Sequence, residues 1–434
     1  MSSGRALAVV AALVGTFAVP VPATQRDGKG RWVGVLDEHP AIEYATRPRR
    51  DLVARLDQAL DDGRASLAFD AAEGGYLRAV LKALDVSEAS QMLVLSRTGV
   101  QRTFTSPANP RALYFNDAVA VGFIRGSPFL ELAAHDPEQG VVFYTLDQRA
   151  VERPAFTHQI SCLSCHVASG TIEVPGFLTR SIATGIDGSP QVRQGVISAD
   201  HRTPFADRWA GWYVTGAAAG LTHRGNAAIA ADGSAVPLLP PVTGPRTSLA
   251  DAVDLHGYLA TSSDVVALAL FDHQAHALNL ITRLAWEVRV AAHEGANDPT
   301  AVSTAALVAE LVDYLTFVDE AVLPAGLDAS ASAFARRLET AGPADRRGRR
   351  LHALDLRTRL LRYPLSYTVY SPAFDALPEP VRAAIYRGVG RALTAPAPAG
   401  RLAQVPRDDR LAALEILRDT KPEARAFLDP PSGR

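Results

Sequence analysis

The stretch Cys162-Leu163-Ser164-Cys165-His166 constrains this chain more than any other, because it holds both cysteines of a 434-residue sequence. The spacing C-x-x-C-H is the attachment signature for a c-type haem. Two thiols three residues apart add across the two vinyl groups of one macrocycle, and the adjacent histidine binds the iron through a neutral imidazole nitrogen. On this reading Cys162 and Cys165 form the thioether bonds and His166 is the proximal ligand. Three other readings compete. Zinc needs about four ligands, usually from a second Cys/His pair, and no second C-x-x-C exists, although scattered histidines could complete a site. A dithiol redox site belongs at a helix start after a strand in a βαβ setting. The following Val167-Ala168-Ser169-Gly170 does not continue as a long amphipathic helix. A disulfide between residues so close would close a small, strained loop.

The N-terminus agrees with covalent haem, which is attached after export. Arg5 is a short positive segment, Ala6 to Ala18 is apolar, and Val21-Pro22-Ala23 resembles a small-residue cleavage site. Residues 1–23 are therefore expected to be a signal peptide, with an uncleaved anchor as the alternative. The apolar run is shorter than the ~20 residues of an ordinary membrane span. The expected location is periplasmic or secreted, with no integral span after cleavage. A net charge of −2 with 21% charged residues gives no footprint for nucleic acid. The 47% hydrophobic content is that of a globular chain, and the length allows two or three domains.

Apolar spacing predicts helices within 51–90, from Leu52, Leu56 and Leu60 and again from Tyr76, Val80, Leu81 and Leu84. Short strands are expected over Gln91–Arg97, within 112–126 and over Gly140–Leu146. Residues 166–245 read as a loop-rich wrap, closed by a Pro-rich linker at about 235–248. Long helices are expected over 262–296 and 301–320, and a mainly helical segment over 345–427. The predicted fold is mainly α with short β-strands, a helical scaffold around a loop-rich haem region. Its expected parts are a mostly helical region at 24–110, the haem-binding region at 111–245 and a helical domain at 249–434. A small class I cytochrome c has its motif near the start of a domain of about 100 residues and a methionine ligand downstream. This chain departs from that plan in both respects.

Only Met1 and Met92 occur, so a methionine sixth ligand could come only from Met92, which reads as a core residue. Histidine, another residue, water or an empty position remain. On one expected helix, His273 falls on the apolar stripe of Val266, Leu270, Ala277, Leu280, Leu284 and Val288, while His276 falls with Asp272, Asn279, Arg283 and Glu287 on a polar face. His273 and His201 are the leading candidates for a second iron ligand, ahead of His223 and His158. The segment Asp200–Gly216 is dense in Arg and Trp. Trp209, Trp212 and Tyr213 are candidates to pack on a haem edge. Arg202 and Arg208 are candidates to hold its propionates, with Arg224 and Arg180 behind them, because a guanidinium matches a carboxylate. Structural Trp and surface Arg are the plainer account of the same segment.

Several stretches together resemble a family of large exported bacterial proteins with a single c-type haem. They are Tyr114-Phe115-Asn116-Asp117 through Gly126, Cys162–His166, Asp200–Gly216, His223-Arg224-Gly225-Asn226 and Tyr363-Pro364-Leu365-Ser366-Tyr367. The resemblance spans most of the chain beyond residue 23, and only C-x-x-C-H is specific within it. It implies export and one haem c on Cys162, Cys165 and His166, and it transfers no substrate. The function expected is electron transfer to a redox partner protein. A haem enzyme or small-ligand sensor with an open distal site is the alternative. A chain four times the size of a minimal carrier favours more than shuttling, whereas the lack of a second C-x-x-C-H counts against a di-haem peroxidase.

Overall fold

The computed structural model describes residues 37–295 and 302–428, together with the strand residues 25–26 and 32–33. The proposed signal segment lies outside these residues. The chain has 35% helix and 15% strand, built on a six-stranded antiparallel sheet. The expectation of a mainly α fold is therefore wrong, and the protein is mixed α and β.

The strands are β1 (Gln25–Arg26), β2 (Trp32–Val33), β3 (Met92–Val94), β4 (Arg111–Phe115), β5 (Val119–Phe123), β6 (Phe129–Asp136), β7 (Gly140–Asp147) and β8 (Phe156–His158). β1 pairs with β2, and β3 to β8 lie side by side in chain order. Three consecutive apolar-alternating segments joined by short turns make such a meander the cheapest arrangement to close. In β6, Leu130, Leu132 and Ala134 point to one face while Glu131, Ala133 and His135 point to the other, as period 2 demands. The β6–β7 turn is fixed by Asp136, whose carboxylate accepts from the backbone N–H groups of Glu138 and Gln139, and by Gly140 at φ 83°.

The two faces of the sheet belong to two cores. Leu93, Tyr114, Val121, Leu132, Val142 and Tyr144 pack under α1 (Leu52–Asp61) and α2 (Leu77–Ala83). Met92, Val94, Phe115, Ala120, Val141 and Phe143 face the C-terminal helices. α1 starts at Asp51, whose side chain caps Val53 and Ala54. Asp51 is also held by the Tyr144 hydroxyl at 2.5 Å, tying this helix to the sheet.

α3 (Leu163–His166) follows β8 directly. Residues 167–262 then carry little regular structure, which takes in the loop-rich wrap expected over 166–245 and extends past it. This segment holds two small hairpins, β9 (Arg180–Ile182) with β10 (Val196–Ser198), and β11 (Ala227–Ile229) with β12 (Ala235–Pro237), and three short 3-10 turns. α4 (Val265–His293) is the central helix, capped by Asp264. It packs on α5 (Val302–Leu315) and α6 (Ala333–Thr340). α7 (Pro372–Asp375), α8 (Glu379–Thr394), α9 (Arg407–Thr420) and α10 (Arg425–Leu428) complete that layer. Of the 29 residues of α4, 24 are buried, so its polar face is an interior face. Asp272, Asn279, Arg283 and Glu287, the polar face on which the spacing placed His276, are all buried. Among the described residues no helix is long and apolar enough to cross a membrane.

Candidate haem-attachment site

The motif begins as a 3-10 turn over Ile160–Cys162 and continues as the single turn α3. Residues three and four apart share a face of such a turn, so Cys162, Cys165 and His166 line one side. Cys165 is exposed and Cys162 half-buried, and both thiols are free. Burial pushes the Cys162 thiol up to about 11, and the nearby Glu131 and Cys165 add to the shift. The resting side chain is a neutral thiol.

His166 is the best-positioned group of the motif. Its Nδ1 lies 2.9 Å from the Gly176 carbonyl, which fixes Nδ1 as the N–H and leaves Nε2 as the lone-pair nitrogen. In return the Gly176 N–H donates to the His166 carbonyl at 3.1 Å, and the Thr171 hydroxyl donates to the same oxygen. Ligating histidines are held in this way, by a carbonyl on the far nitrogen. The ring rests on Phe143 of β7, with centroids 4.5 Å apart. Burial lowers the His166 pKa, opposed by the bond to Gly176, so the imidazole is neutral, as iron binding requires. The loop that returns from His166 to Gly176 passes through Ile172 and Glu173 at φ 50° and 62°. Left-handed backbone at a β-branched residue is costly, and it is kept here where it closes the loop on His166.

Sequence reasoning missed Gly176, Thr171 and Phe143. The Pro175-Gly176 dipeptide, ten residues past the histidine, is the one local signal of that return. A Cβ on Gly176 would stand 2.3 Å from Asn279 Oδ1, so only glycine fits between α4 and the carbonyl.

The charged side chains that act on His166 are Arg111, Arg180 and Glu131. Arg111 and Glu131 form an ion pair at 3.2 Å across Gly122, whose missing side chain leaves the space for it. Gln101 also donates to Glu131. Arg180 is half-buried, and among the described residues its guanidinium makes no hydrogen bond or ion pair.

The other residues proposed from sequence are placed elsewhere or already engaged. Arg208 is 2% exposed, donates to the carbonyls of Thr203 and His201, and faces Asp272 at 3.8 Å. It braces the wrap against α4. Arg202 closes on Asp200 and meets His276 Nε2 at 2.9 Å. Trp209 donates to Asp272 and Trp212 to the Arg180 carbonyl, both from buried rings. Tyr213 donates to the Pro107 carbonyl. His223 accepts from Gly225 and packs on Trp209. Nothing in the structure ties Arg224 to the motif.

His201 and His273 meet each other, Nδ1 to Nδ1 at 2.7 Å. His273 Nε2 is taken by the Ser366 hydroxyl, and both rings lie against Tyr314 of α5 and Phe317. Burial drives His273 down to about 3 and His201 well below its ordinary value. The pair belongs to the α4–α5 seam. Among the described residues, no three His, Cys, Asp or Glu side chains converge to hold a metal ion. Cys162, Cys165 and His166 are thus not gathered as a zinc site, whereas thioether attachment needs the thiols spread along a ring edge. Comparison with protein-family models, with curated proteins and with solved structures finds no match.

Proposed function

We propose that this chain carries one haem c, attached through Cys162 and Cys165 with His166 as proximal ligand, and that it passes single electrons to a partner protein outside the cytoplasm. The observation that carries the reading is the His166–Gly176 pairing, which presents a neutral Nε2 beside two free thiols on the same face. A haem bound there supplies a one-electron couple. The protein's part is to orient His166, to keep its ring neutral against Phe143, and to surround it with Arg111, Arg180 and Glu131, whose charges bear on the potential. Cys165 is exposed and the neighbouring Ile160 is 48% exposed, so an attached ring edge lies near the surface, where a redox partner can approach. Export supports the same reading through the apolar segment at 6–18.

The test is to reduce matured protein and mix it with an oxidised acceptor protein. One electron delivered per haem supports the reading. A reduced haem that no acceptor protein oxidises, although oxygen or peroxide does, contradicts electron transfer and favours the alternative of a haem enzyme or sensor.

A further inference from the structure

We infer that the iron held by His166 has no second protein ligand and takes a small exogenous ligand of the π-acceptor diatomic class at its sixth position. The inference rests on the covalent-haem part of the reading above and not on electron transfer, since an open sixth position is what the haem-enzyme or sensor alternative requires. Every histidine of the chain, and Met92, lies within the described residues, so each candidate can be located.

Met92 sits in β3 and His166 on β7, four strands apart. At about 4.8 Å per strand the sheet separates them by roughly 19 Å, far beyond the two sides of one iron. His158 stands opposite Tyr144 in the β7–β8 ladder, while His166 rests on Phe143. Successive residues of a strand face opposite sides, so His158 is on the other face of the sheet. His135 shares the face of Phe143, yet its Nε2 is bound to Thr282 of α4 at 2.9 Å and α4 covers it. His201 is joined to His273 Nδ1 to Nδ1, and although its buried Nε2 has no partner, its ring is held against Tyr314 and Phe317 in the α4–α5 seam; His276 is bound to Arg202.

Of the five remaining histidines, His39 and His293 pack on each other, His223 packs on Trp209, His256 follows Asp254 in the segment before α4, and His352 stacks on Tyr367. Tyr44 is near Cys162, but its hydroxyl donates to the Val141 carbonyl and burial raises its pKa, so it offers no phenolate. The charged groups nearest His166 are two guanidinium ions, which do not bind iron, and Glu131, which is already held by Arg111 and Gln101. A five-coordinate iron binds carbon monoxide when ferrous and cyanide when ferric, whereas a six-coordinate iron with two protein ligands resists both.

The experiment uses the matured full chain and follows its visible spectrum, ferric and ferrous, with carbon monoxide and cyanide as probes. The expected result is a high-spin ferric spectrum, a Soret shift on adding carbon monoxide to the ferrous form, and saturation at one ligand per haem. A low-spin spectrum in both oxidation states that carbon monoxide leaves unchanged overturns the inference while leaving covalent haem intact. So does a low-spin spectrum that Met92→Leu or His135→Gln converts to high-spin, since that variant names the ligand. A protein with no covalent haem overturns the underlying reading, and this inference falls with it.

Discussion

Replacing Arg208 by Met separates its structural role from the haem role that sequence assigned to it. Its guanidinium is 2% exposed and lies 3.8 Å from the Asp272 carboxylate. At an effective dielectric of about 20, the attraction at that distance is worth about 4 kcal/mol before desolvation is counted. Burial lowers the Arg208 pKa and lifts Asp272 to about 6, so each charge depends on the other. Arg208→Met leaves Asp272 with the Trp209 N–H and the Thr179 hydroxyl but no cation, and strips a donor from the carbonyls of Thr203 and His201. Breaking one side of a buried pair typically costs about 3–5 kcal/mol. Asp272→Leu should cost a similar amount. The double variant removes both charges, and its cost should fall short of the sum by about 2 kcal/mol or more. Urea unfolding followed by tryptophan fluorescence, near neutral pH, reads all four proteins. Haem content per folded chain should be the same in each. Additive costs would show that the charges are not coupled. A loss of haem from Arg208→Met at unchanged stability would return this residue to the haem.

His352 is buried with its ring stacked on Tyr367, and burial pulls it down to about 4. The unfolded state binds a proton near 6.5, so this site's contribution is complete above that pH and is lost as pH falls toward 4. From about pH 7.5 to 5 the loss is about 2 kcal/mol, and His352→Leu should flatten the stability–pH curve by that amount. Gly176→Ala forces a Cβ to 2.3 Å from Asn279 Oδ1, which should cost about 1–3 kcal/mol and loosen His166, seen as a broadened or mixed-spin haem spectrum. Arg180→Ala removes a cation that acts on His166 and has no partner among the described residues. Stability should change by less than about 0.5 kcal/mol, while the midpoint potential should fall in a spectroelectrochemical titration, because the oxidised haem loses a repelling charge. An unchanged potential would remove Arg180 from the site.

Local signals were legible where one segment decided its own structure. The 3/4 spacing around Leu270 and Leu284 located α4, and the apolar runs around Met92 and Val142 located β3 and β7. β6 was missed because Glu131, His135 and Asp136 interrupt its apolar pattern, and these are the residues that face the motif or turn the chain. Without β6 the strands look isolated, which is how a six-stranded sheet came to read as trimmings on a helical scaffold. In the site, C-x-x-C-H was explicit, but its support was not. Gly176, Phe143, Arg111 and Glu131 reach His166 through sheet register and a loop return, which leave no pattern in sequence. The Arg- and Trp-rich wrap shows the opposite relation between composition and contacts. Its composition suits a haem pocket, but Arg202, Arg208, Trp209 and Trp212 spend their polar groups on Asp200, Asp272 and backbone carbonyls.

The most direct test of the central claim is the mass of the chain under denaturing conditions after expression with cytochrome c maturation, paired with a pyridine haemochrome spectrum. The account predicts one haem per chain that survives denaturation, and its loss when Cys162→Ala and Cys165→Ala are combined. Two unmodified thiols and no covalent haem, from cells that mature a control cytochrome, would contradict it.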